Sequence, residues 1–337
     1  MTTEVETPLV SIDDIRRAAA SLEGIAIRTP LVGFGTAGGT IGGPRVLLKA
    51  ESLQPIGAFK IRGAYHTMST LTPEERARGV VTHSSGNHAQ GVARAAKLLR
   101  IHAVVVMPDN APAIKRRRVA ADGAEIVTSG PSVSERDAIA QQLIEERGLV
   151  LVHPFDDDRI IAGQGTVGLE IAEDVLDLAA VLVPIGGGGL SSGVAVAVRA
   201  LHPGARIIGV EPEVAADAQA SIRAGHVVSW DAARTGATIA DGVRSQAIGR
   251  RPFAHLSHLL DDVVTVSEAE IASTIRLLAE EARLIAEPSG AVAPAAVRFR
   301  AREAGLTGLA GTVVAVISGG NVDPERYLEY LEAPLPG

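Results

Sequence analysis

Short apolar segments alternate with helical segments through the middle of the chain, and this alternation limits the fold more than any other feature. The predicted strands cover residues 80–83, 103–107, 125–128 and 149–152. Helices are predicted after His88, Pro112 and Ser132, one in each gap. Strands that are separated by a helix pair in parallel through right-handed crossovers. The sequence therefore predicts an α/β fold.

A second set of apolar segments lies on both sides of the first, at residues 46–50, 178–184, 206–210 and 312–317. A chain of 337 residues with 46% hydrophobic content is long enough to form two lobes. We therefore predict a small domain at 76–153, inserted into a larger domain made of 1–75 and 154–337. Each lobe is expected to be an open, mostly parallel, twisted sheet flanked by helices.

Three helix starts have the sequence of a capping box, in which an acidic residue follows a serine or threonine by three positions. The pairs are Ser11 with Asp14, Thr72 with Glu75, and Ser267 with Glu270. Each pair predicts where a helix begins.

Charge and composition exclude several classes of function. The net charge of −7 gives no general attraction to nucleic acid or to an anionic membrane. The one basic run, at 115–118, is interpreted as the solvated face of a helix. The chain has no cysteine, so thiolate chemistry and disulfides are excluded. No apolar stretch reaches the roughly 18 residues of a membrane span, which predicts a cytoplasmic protein.

Lys60 lies between Phe59 and Ile61, after a turn that Pro55 and Gly57 are expected to form. Apolar surroundings disfavour the ammonium form of a lysine and lower its pKa. A neutral amine is a nucleophile toward aldehydes and ketones. The alternative is a lysine whose stem is buried and whose charged end reaches water.

A run of four glycines, Gly186 to Gly189, follows a predicted buried strand and precedes a helix. Backbone N–H groups at such a helix start suit a phosphate. A dinucleotide site is a second interpretation, because Glu211 ends the next strand where a ribose-binding acid would stand. Ser191 occupies the position of the third glycine of that motif, and the dinucleotide interpretation gives Lys60 no role.

Two further loops follow predicted strands. Residues 84–88 are rich in hydrogen-bond donors and precede a helix, which suits a carboxylate, although a simple helix cap would need only one of them. Ser318 follows the last strand and precedes two glycines. In doubly wound sheets a ligand binds at the carboxyl ends of the strands, where all these loops are expected.

The four motifs, at 52–64, 84–91, 186–190 and 318–321, resemble in content and order the pyridoxal-phosphate enzymes of fold type II, the tryptophan synthase β-like class. The resemblance is strongest to the branch of serine racemases and serine/threonine dehydratases, and it runs from about Ile15 to about Asp323. It implies pyridoxal 5′-phosphate bound covalently to Lys60, which is also the base that removes the Cα proton.

The resemblance also assigns roles to the surrounding residues. Asn87 would bond the phenolic oxygen of the cofactor and Ser318 its pyridine nitrogen, and Ser85 would protonate the opposite face of Cα in a racemase. The implied cofactor-binding residues are Phe59, Lys60, Asn87, Gly186, Gly187, Gly188, Gly189, Leu190, Gly242 and Ser318. The implied substrate-binding residues are Ser84, Ser85, Asn87, His88 and Arg136.

Glu211, Ala215 and Asp217 have the spacing at which serine racemases and related dehydratases bind a divalent cation. Two carboxylates and a backbone carbonyl are hard oxygen ligands that suit Mg²⁺ or Ca²⁺. The alternative is two acidic residues on a solvated loop.

The resemblance predicts an ammonia-lyase that converts a β-hydroxy amino acid, L-threonine or L-serine, to a 2-oxo acid and ammonia. Serine racemase, threo-3-hydroxyaspartate ammonia-lyase and a hydroxyectoine-pathway dehydratase are the alternatives within the branch. An NAD-dependent oxidoreductase and a non-enzymatic amino-acid sensor are alternatives of another class. The expected partner is a small amino acid, and the expected assembly is a homodimer.

Overall fold

The computed structural model describes residues 8–36, 43–84, 86–109, 111, 113–130 and 132–335. Two sheets, one of six strands and one of four, are flanked by helices. The predicted α/β fold with mostly parallel sheets is confirmed. The boundaries of the two domains at 76 and 153 stay a prediction. In the part of the chain that is described, none of the helices combines the length and apolar character that crossing a membrane requires.

The larger sheet has the order β1-β2-β10-β7-β8-β9. Its strands are β1 (Leu31–Thr36), β2 (Arg45–Ala50), β7 (Leu178–Pro184), β8 (Arg206–Pro212), β9 (Asp262–Val266) and β10 (Thr312–Ile317). Only the edge pair β1 and β2 is antiparallel within the described ranges. β10 is buried along its whole length, because helices cover both faces of the sheet.

The smaller sheet has the order β5-β4-β3-β6, and all its strands are parallel. The strands are β3 (Val80–His83), β4 (Ala103–Pro108), β5 (Glu125–Ser129) and β6 (Val150–Leu151). Every strand of this sheet lies within the segment that was predicted to form the small lobe. β6 is shorter than predicted.

The helices lie between the strands, and their bounds agree with most of the predicted starts. They are α1 (Ile12–Ser21), α2 (Lys60–Ser69), α3 (Pro73–Arg78), α4 (Asn87–Leu99), α5 (Ala113–Ala121), α6 (Val133–Arg147), α7 (Asp158–Asp174), α8 (Gly189–Leu201), α9 (Asp217–Ala224), α10 (Ala232–Thr235), α11 (Arg250–Leu259), α12 (Glu268–Leu277), α13 (Pro288–Phe299) and α14 (Pro324–Leu331). All three predicted capping boxes are present, on α1, α3 and α12. Two strands, β1 and β9, and six helices, α7, α9, α10, α11, α13 and α14, were not predicted from the sequence. α12 continues into a π-helical turn, Leu278–Ala282.

A buried cluster of charges fixes the start of α2. The guanidinium of Arg62 is 1% exposed and pairs with Glu51 through Nε at 2.8 Å and with Glu170 through Nη1 at 2.6 Å. It also donates to the Thr166 hydroxyl and to the carbonyl of Ile27. Burial alone would raise the pKa of Glu51, but the Arg62 guanidinium holds that pKa below its ordinary value. The cluster therefore stays ionised inside the protein.

We expect Arg62→Met to lower the free energy of unfolding by about 3–5 kcal/mol, because it leaves the fully buried Glu51 without its hydrogen-bonded cation, whereas Glu170 keeps Lys49 at 2.6 Å. Urea unfolding followed by circular dichroism measures the change. Arg28→Met is the matched control, since Arg28 pairs with Glu173 and Asp174 at the surface with about half of its side chain exposed. Loss of such an exposed pair costs about 0–1 kcal/mol. Equal losses in the two variants would contradict the assignment of the buried cluster.

Candidate active site

The motif loops meet at the carboxyl ends of the strands, where they line one cavity of about 440 Å³. The structure brings into this cavity all the described residues that were predicted to bind cofactor or substrate. They are Phe59, Lys60, Ser84, Asn87, His88, Arg136, Gly186, Gly187, Gly188, Gly189, Leu190, Gly242 and Ser318. Ser85 lies outside the described residues. Loops and helix starts that follow strands of both sheets contribute, so the cavity lies between the two sheets.

Lys60 is the first residue of α2, and its loop is held against the end of β10. The amide of Phe59 donates to the carbonyl of Ser318 at 3.1 Å. The Lys60 amine donates to the carbonyl of Pro154 at 2.7 Å and lies 5.1 Å from the centre of the Phe59 ring. Burial lowers the pKa of Lys60 to about 8. The pKa falls because a carbonyl partner does not offset the desolvation of the ammonium form. A substantial fraction of the Lys60 amine is therefore neutral close to neutral pH, as predicted from the sequence.

The glycine run forms a tight turn into α8. Gly188 is the N-cap of α8, with a φ of +92° that favours glycine, and no side chain caps the helix. A Cβ on Gly186 would lie 2.8 Å from the Cα of Val243, and a Cβ on Gly187 would collide with the ring of Phe155. Side chains are therefore excluded from the turn, and the backbone at the positive end of α8 lines the cavity. This geometry fits a phosphate group.

Asn87 is the first residue of α4, and its side-chain amide is bonded at both ends. Its Nδ2 donates to Glu287 Oε1 at 2.5 Å, and its Oδ1 accepts from Asn321 Nδ2 at 2.8 Å. Glu287 is buried, and burial followed by the negative charge of Asp241 raises its pKa to about 8. Asn87 and the motif that contains Asn321 were predicted from the sequence, but the bonds of Asn87 to Asn321 and Glu287 were not.

Ser318 and Gly242 meet at the start of α13. The hydroxyl of Ser318 donates to the carbonyl of Ser289 at 3.2 Å, and the amide of Gly242 donates to the Ser289 hydroxyl at 2.8 Å. Ser318 is buried and carries no charge. A ring nitrogen placed beside it would therefore meet a neutral hydroxyl, as the sequence predicts.

Two histidines, the buried His88 and the half-buried His153, line the cavity next to Lys60. His88 Nε2 lies 3.0 Å from the carbonyl of Val152, and His153 Nδ1 accepts from the amides of Phe155 and Asp156. Burial lowers the pKa of His153 to about 4 and the pKa of His88 well below its ordinary value. Both rings are therefore neutral at neutral pH.

A third histidine, His83, ends β3 and also lines the cavity. Its Nδ1 lies 2.9 Å from Oδ1 of Asp137, and burial lowers the pKa of His83. The sequence analysis missed both His83 and His153 as cavity residues. A signal for them existed, because each stands at the carboxyl end of a parallel strand, where the motif loops also lie.

The basic run at 115–118 is not simply the solvated face of a helix, which corrects the sequence analysis. Lys115 is 12% exposed, lines the cavity and pairs with Asp241 at 2.8 Å. Arg118 Nη1 donates to Asn321 Oδ1 at 2.5 Å. The helical spacing of this run puts Lys115 and Arg118 on one side of α5. Nothing in the local sequence shows that this side faces the larger sheet.

The residues predicted to bind a cation lie away from this cavity, around the start of α9. Glu211 and Asp217 are both fully buried. Glu211 accepts from the amides of Ala218 and Gln219 at 3.0 and 2.7 Å. Burial, followed by the charge of Asp217, raises the pKa of Glu211 well above its ordinary value, and burial raises the pKa of Asp217 to about 7. These two residues are therefore not on a solvated loop.

The described ranges contain no group of three or more histidine, aspartate and glutamate side chains arranged to hold a metal. Neither carboxylate oxygen of Asp217 makes a well-formed hydrogen bond within those ranges. The backbone amides of Asp217 and Ile248 lie near enough to oppose the rise in its pKa. Buried carboxylate oxygens without partners are costly, and a cation would satisfy them.

Comparisons with known proteins agree with this cavity. A family model described as "Pyridoxal-phosphate dependent enzyme" matches residues 22–319. The L-threo-3-hydroxyaspartate ammonia-lyase of Saccharomyces cerevisiae is 42% identical over 88% of both chains. The L-threonine ammonia-lyase of Thermotoga maritima is 41% identical over 94% of this chain and 76% of the relative. The structure of maize serine racemase has a TM-score of 0.89 at 38% identity, and the match covers 96% of this chain and 97% of the racemase.

We expect Lys60 to capture pyridoxal phosphate covalently, at a rate whose pH dependence follows from its lowered pKa. The amine is protonated below its pKa, so the capture rate of cofactor-free protein should rise with pH, with a midpoint of about 8. An unperturbed lysine would give a midpoint of about 10.4. Borohydride trapping followed by peptide mass spectrometry measures the rate at Lys60. A midpoint at the unperturbed value would show that Lys60 is not desolvated.

Proposed function

Because the chain belongs to the pyridoxal-phosphate-dependent enzyme family, we propose that it is an ammonia-lyase acting on a β-hydroxy amino acid. The observation that carries the proposal is a lysine of lowered pKa in a cavity shared with an uncapped, glycine-rich helix start. The products would be a 2-oxo acid and ammonia. L-Threonine and L-serine are the proposed substrates, and L-threo-3-hydroxyaspartate is the alternative that a 42% identical relative supports.

The residues of the cavity fit pyridoxal phosphate, and each would bind a different group of the cofactor. Lys60 would hold it covalently, the amides of the glycine run would bind its phosphate, and Ser318 would stand at its ring nitrogen. When bound, pyridoxal phosphate supplies an electron sink for negative charge at Cα. The dinucleotide alternative has less support, because Glu211 is buried under the start of α9 and accepts from two of its amides.

The remaining cavity residues would orient the substrate and move its protons. The neutral Lys60 amine is the proposed base for the Cα proton, since a general base works best with a pKa near the working pH. Ser84, Asn87 and His88 surround the start of α4, where a substrate carboxylate would meet backbone N–H groups. Arg136 lines the same cavity and would add a positive charge for an anionic substrate.

A racemase activity depends on a proton carrier on the second face of Cα. Ser85 is the residue proposed for it from the sequence, and its role stays a prediction. The homodimer and the cytoplasmic location also stay predictions.

We expect Lys60→Ala to abolish both the visible absorption band of the bound cofactor and the formation of 2-oxo acid from L-threonine, L-serine and L-threo-3-hydroxyaspartate. The amine is both the covalent anchor and the base, so no other residue replaces it. Absorption spectroscopy and a keto-acid assay measure the two effects. Lys97→Ala is the control, because Lys97 is an exposed lysine that pairs with Asp122 just after the end of α5. A Lys60→Ala variant that kept the turnover of the wild type would disprove the assignment of the base.

We further propose a cation site at Glu211, Ala215 and Asp217. The two carboxylates and the carbonyl of Ala215, which follows Glu211 in a 3₁₀ turn, would supply oxygen ligands for Mg²⁺ or Ca²⁺. The support is the pair of fully buried carboxylates, of which Asp217 lacks well-formed hydrogen bonds within the described ranges.

A cation that binds only the folded protein should raise its melting temperature. We expect Mg²⁺ or Ca²⁺ to raise it, a chelator to lower it, and Asp217→Asn to remove the difference between the two conditions. Differential scanning fluorimetry measures this difference. Glu213→Gln is the matched control, because Glu213 lies in the same turn but is exposed and pairs with Arg300. A cation effect that survives in Asp217→Asn would place the site elsewhere.

A further inference from the structure

Asn321 has its side-chain amide held by two partners that allow only one orientation. Arg118 can only donate, and its Nη1 donates to Asn321 Oδ1 at 2.5 Å. The carbonyl of Ile56 can only accept, and it accepts from Asn321 Nδ2 at 2.8 Å. The oxygen of Asn321 therefore faces α5, and its nitrogen faces the loop before Lys60.

This orientation determines the orientation of Asn87. Asn321 Nδ2 also donates to Asn87 Oδ1 at 2.8 Å, so the oxygen of Asn87 is committed to Asn321. The Nδ2 of Asn87 then lies on the side of Glu287, which takes one of its two hydrogens. The second hydrogen is left as a donor in the cavity that Asn87 lines.

The loop before Lys60 is shaped to accept Asn321. Gly57 has a φ of +73°, and a Cβ built there would lie 2.5 Å from Asn321 Oδ1 and 3.1 Å from Asn321 Nδ2. The absence of a side chain at Gly57 therefore leaves the space that the Asn321 amide occupies. The three segments that meet at Asn321 come from α5, from the lysine loop and from the start of α4.

We propose that Asn321 is a positioning residue that fixes the Asn87 amide with its N–H donor, and not its oxygen, toward the cofactor. The inference rests on the proposed function, because the group that receives this donor is the bound cofactor. The two bonds of Asn321 to Ile56 and Asn87 are half-buried, whereas the bond from Arg118 is exposed. The bonds to Ile56 and Asn87 therefore contribute most to fixing the Asn87 amide, and the bond from Arg118 contributes less.

A double-mutant cycle on cofactor affinity tests the proposal. Asn321→Ala should weaken the binding of pyridoxal phosphate to cofactor-free protein at least tenfold, as measured by absorption titration. In the Asn87→Ala background the same substitution should change affinity less than twofold, because Asn321 acts through Asn87. Arg118→Ala should weaken the binding of pyridoxal phosphate two- to fivefold in the wild-type background. In the Asn87→Ala background it too should change affinity less than twofold. Arg117→Ala, an exposed neighbour on α5, is the control and should change nothing.

Multiplicative losses in the cycle would overturn the proposal, since they would show that Asn321 and Asn87 act separately. The Arg118→Ala arm decides the matter if Asn321→Ala does not fold, because Arg118 is exposed and its removal leaves no cavity. A wild-type protein that takes up no pyridoxal phosphate would overturn the proposed function together with this inference. Wild-type uptake with multiplicative losses would overturn this inference alone.

Discussion

The position of Lys60 in the cavity depends on the buried guanidinium of Arg62. Arg62 lies two residues after Lys60 on α2, and it joins Glu51, which precedes the lysine loop, to Glu170 on α7. Burying these charges costs free energy that their pairing offsets only when every donor finds a partner. The Arg62 cluster meets this condition. We interpret it as the device that sets where α2 begins, and therefore where the Lys60 amine lies.

The pKa values of the two lysines that line the cavity are shifted in opposite directions, because the two lysines have different partners. Lys60 meets a carbonyl, so desolvation prevails and its pKa falls to about 8. Lys115 meets the carboxylate of Asp241, and despite burial its pKa rises. Lys115 is thus kept charged where it joins α5 to Asp241, whereas the ammonium form of Lys60 is destabilised at the position where we propose that it reacts. The direction of the pKa shift is therefore decided by the partner of each lysine and not by burial.

The sequence predicts most of the fold because parallel strands covered on both faces appear as continuous apolar runs. It missed α7, whose apolar pattern is interrupted by Gly163 and Gly168. A Cβ on Gly163 would lie 2.6 Å from the Cα of Gly63, and one on Gly168 would lie 2.7 Å from the Cα of Val194. These glycines mark close helix contacts, not loops. The motif loops of the site were predictable, but the partners of Asn87 are 200 or more residues away in the chain, and no local pattern reveals them.

Polar side-chain contacts cross the cavity from α4 and α5. Lys115 bonds Asp241, Arg118 bonds Asn321, and the first residue of α4 bonds Glu287. The Arg118 contact is exposed, whereas the other two each include a largely buried group, Lys115 in one and Glu287 in the other. Water therefore replaces the Arg118 contact at a smaller cost than the other two. The glycine-run end of the cavity, in contrast, is formed by a turn that follows β7 and packs against Phe155 and Val243. The glycine-run side therefore depends on close backbone packing, whereas the α4 side depends on side-chain hydrogen bonds, of which the two to Asn87 set the direction of its amide donor.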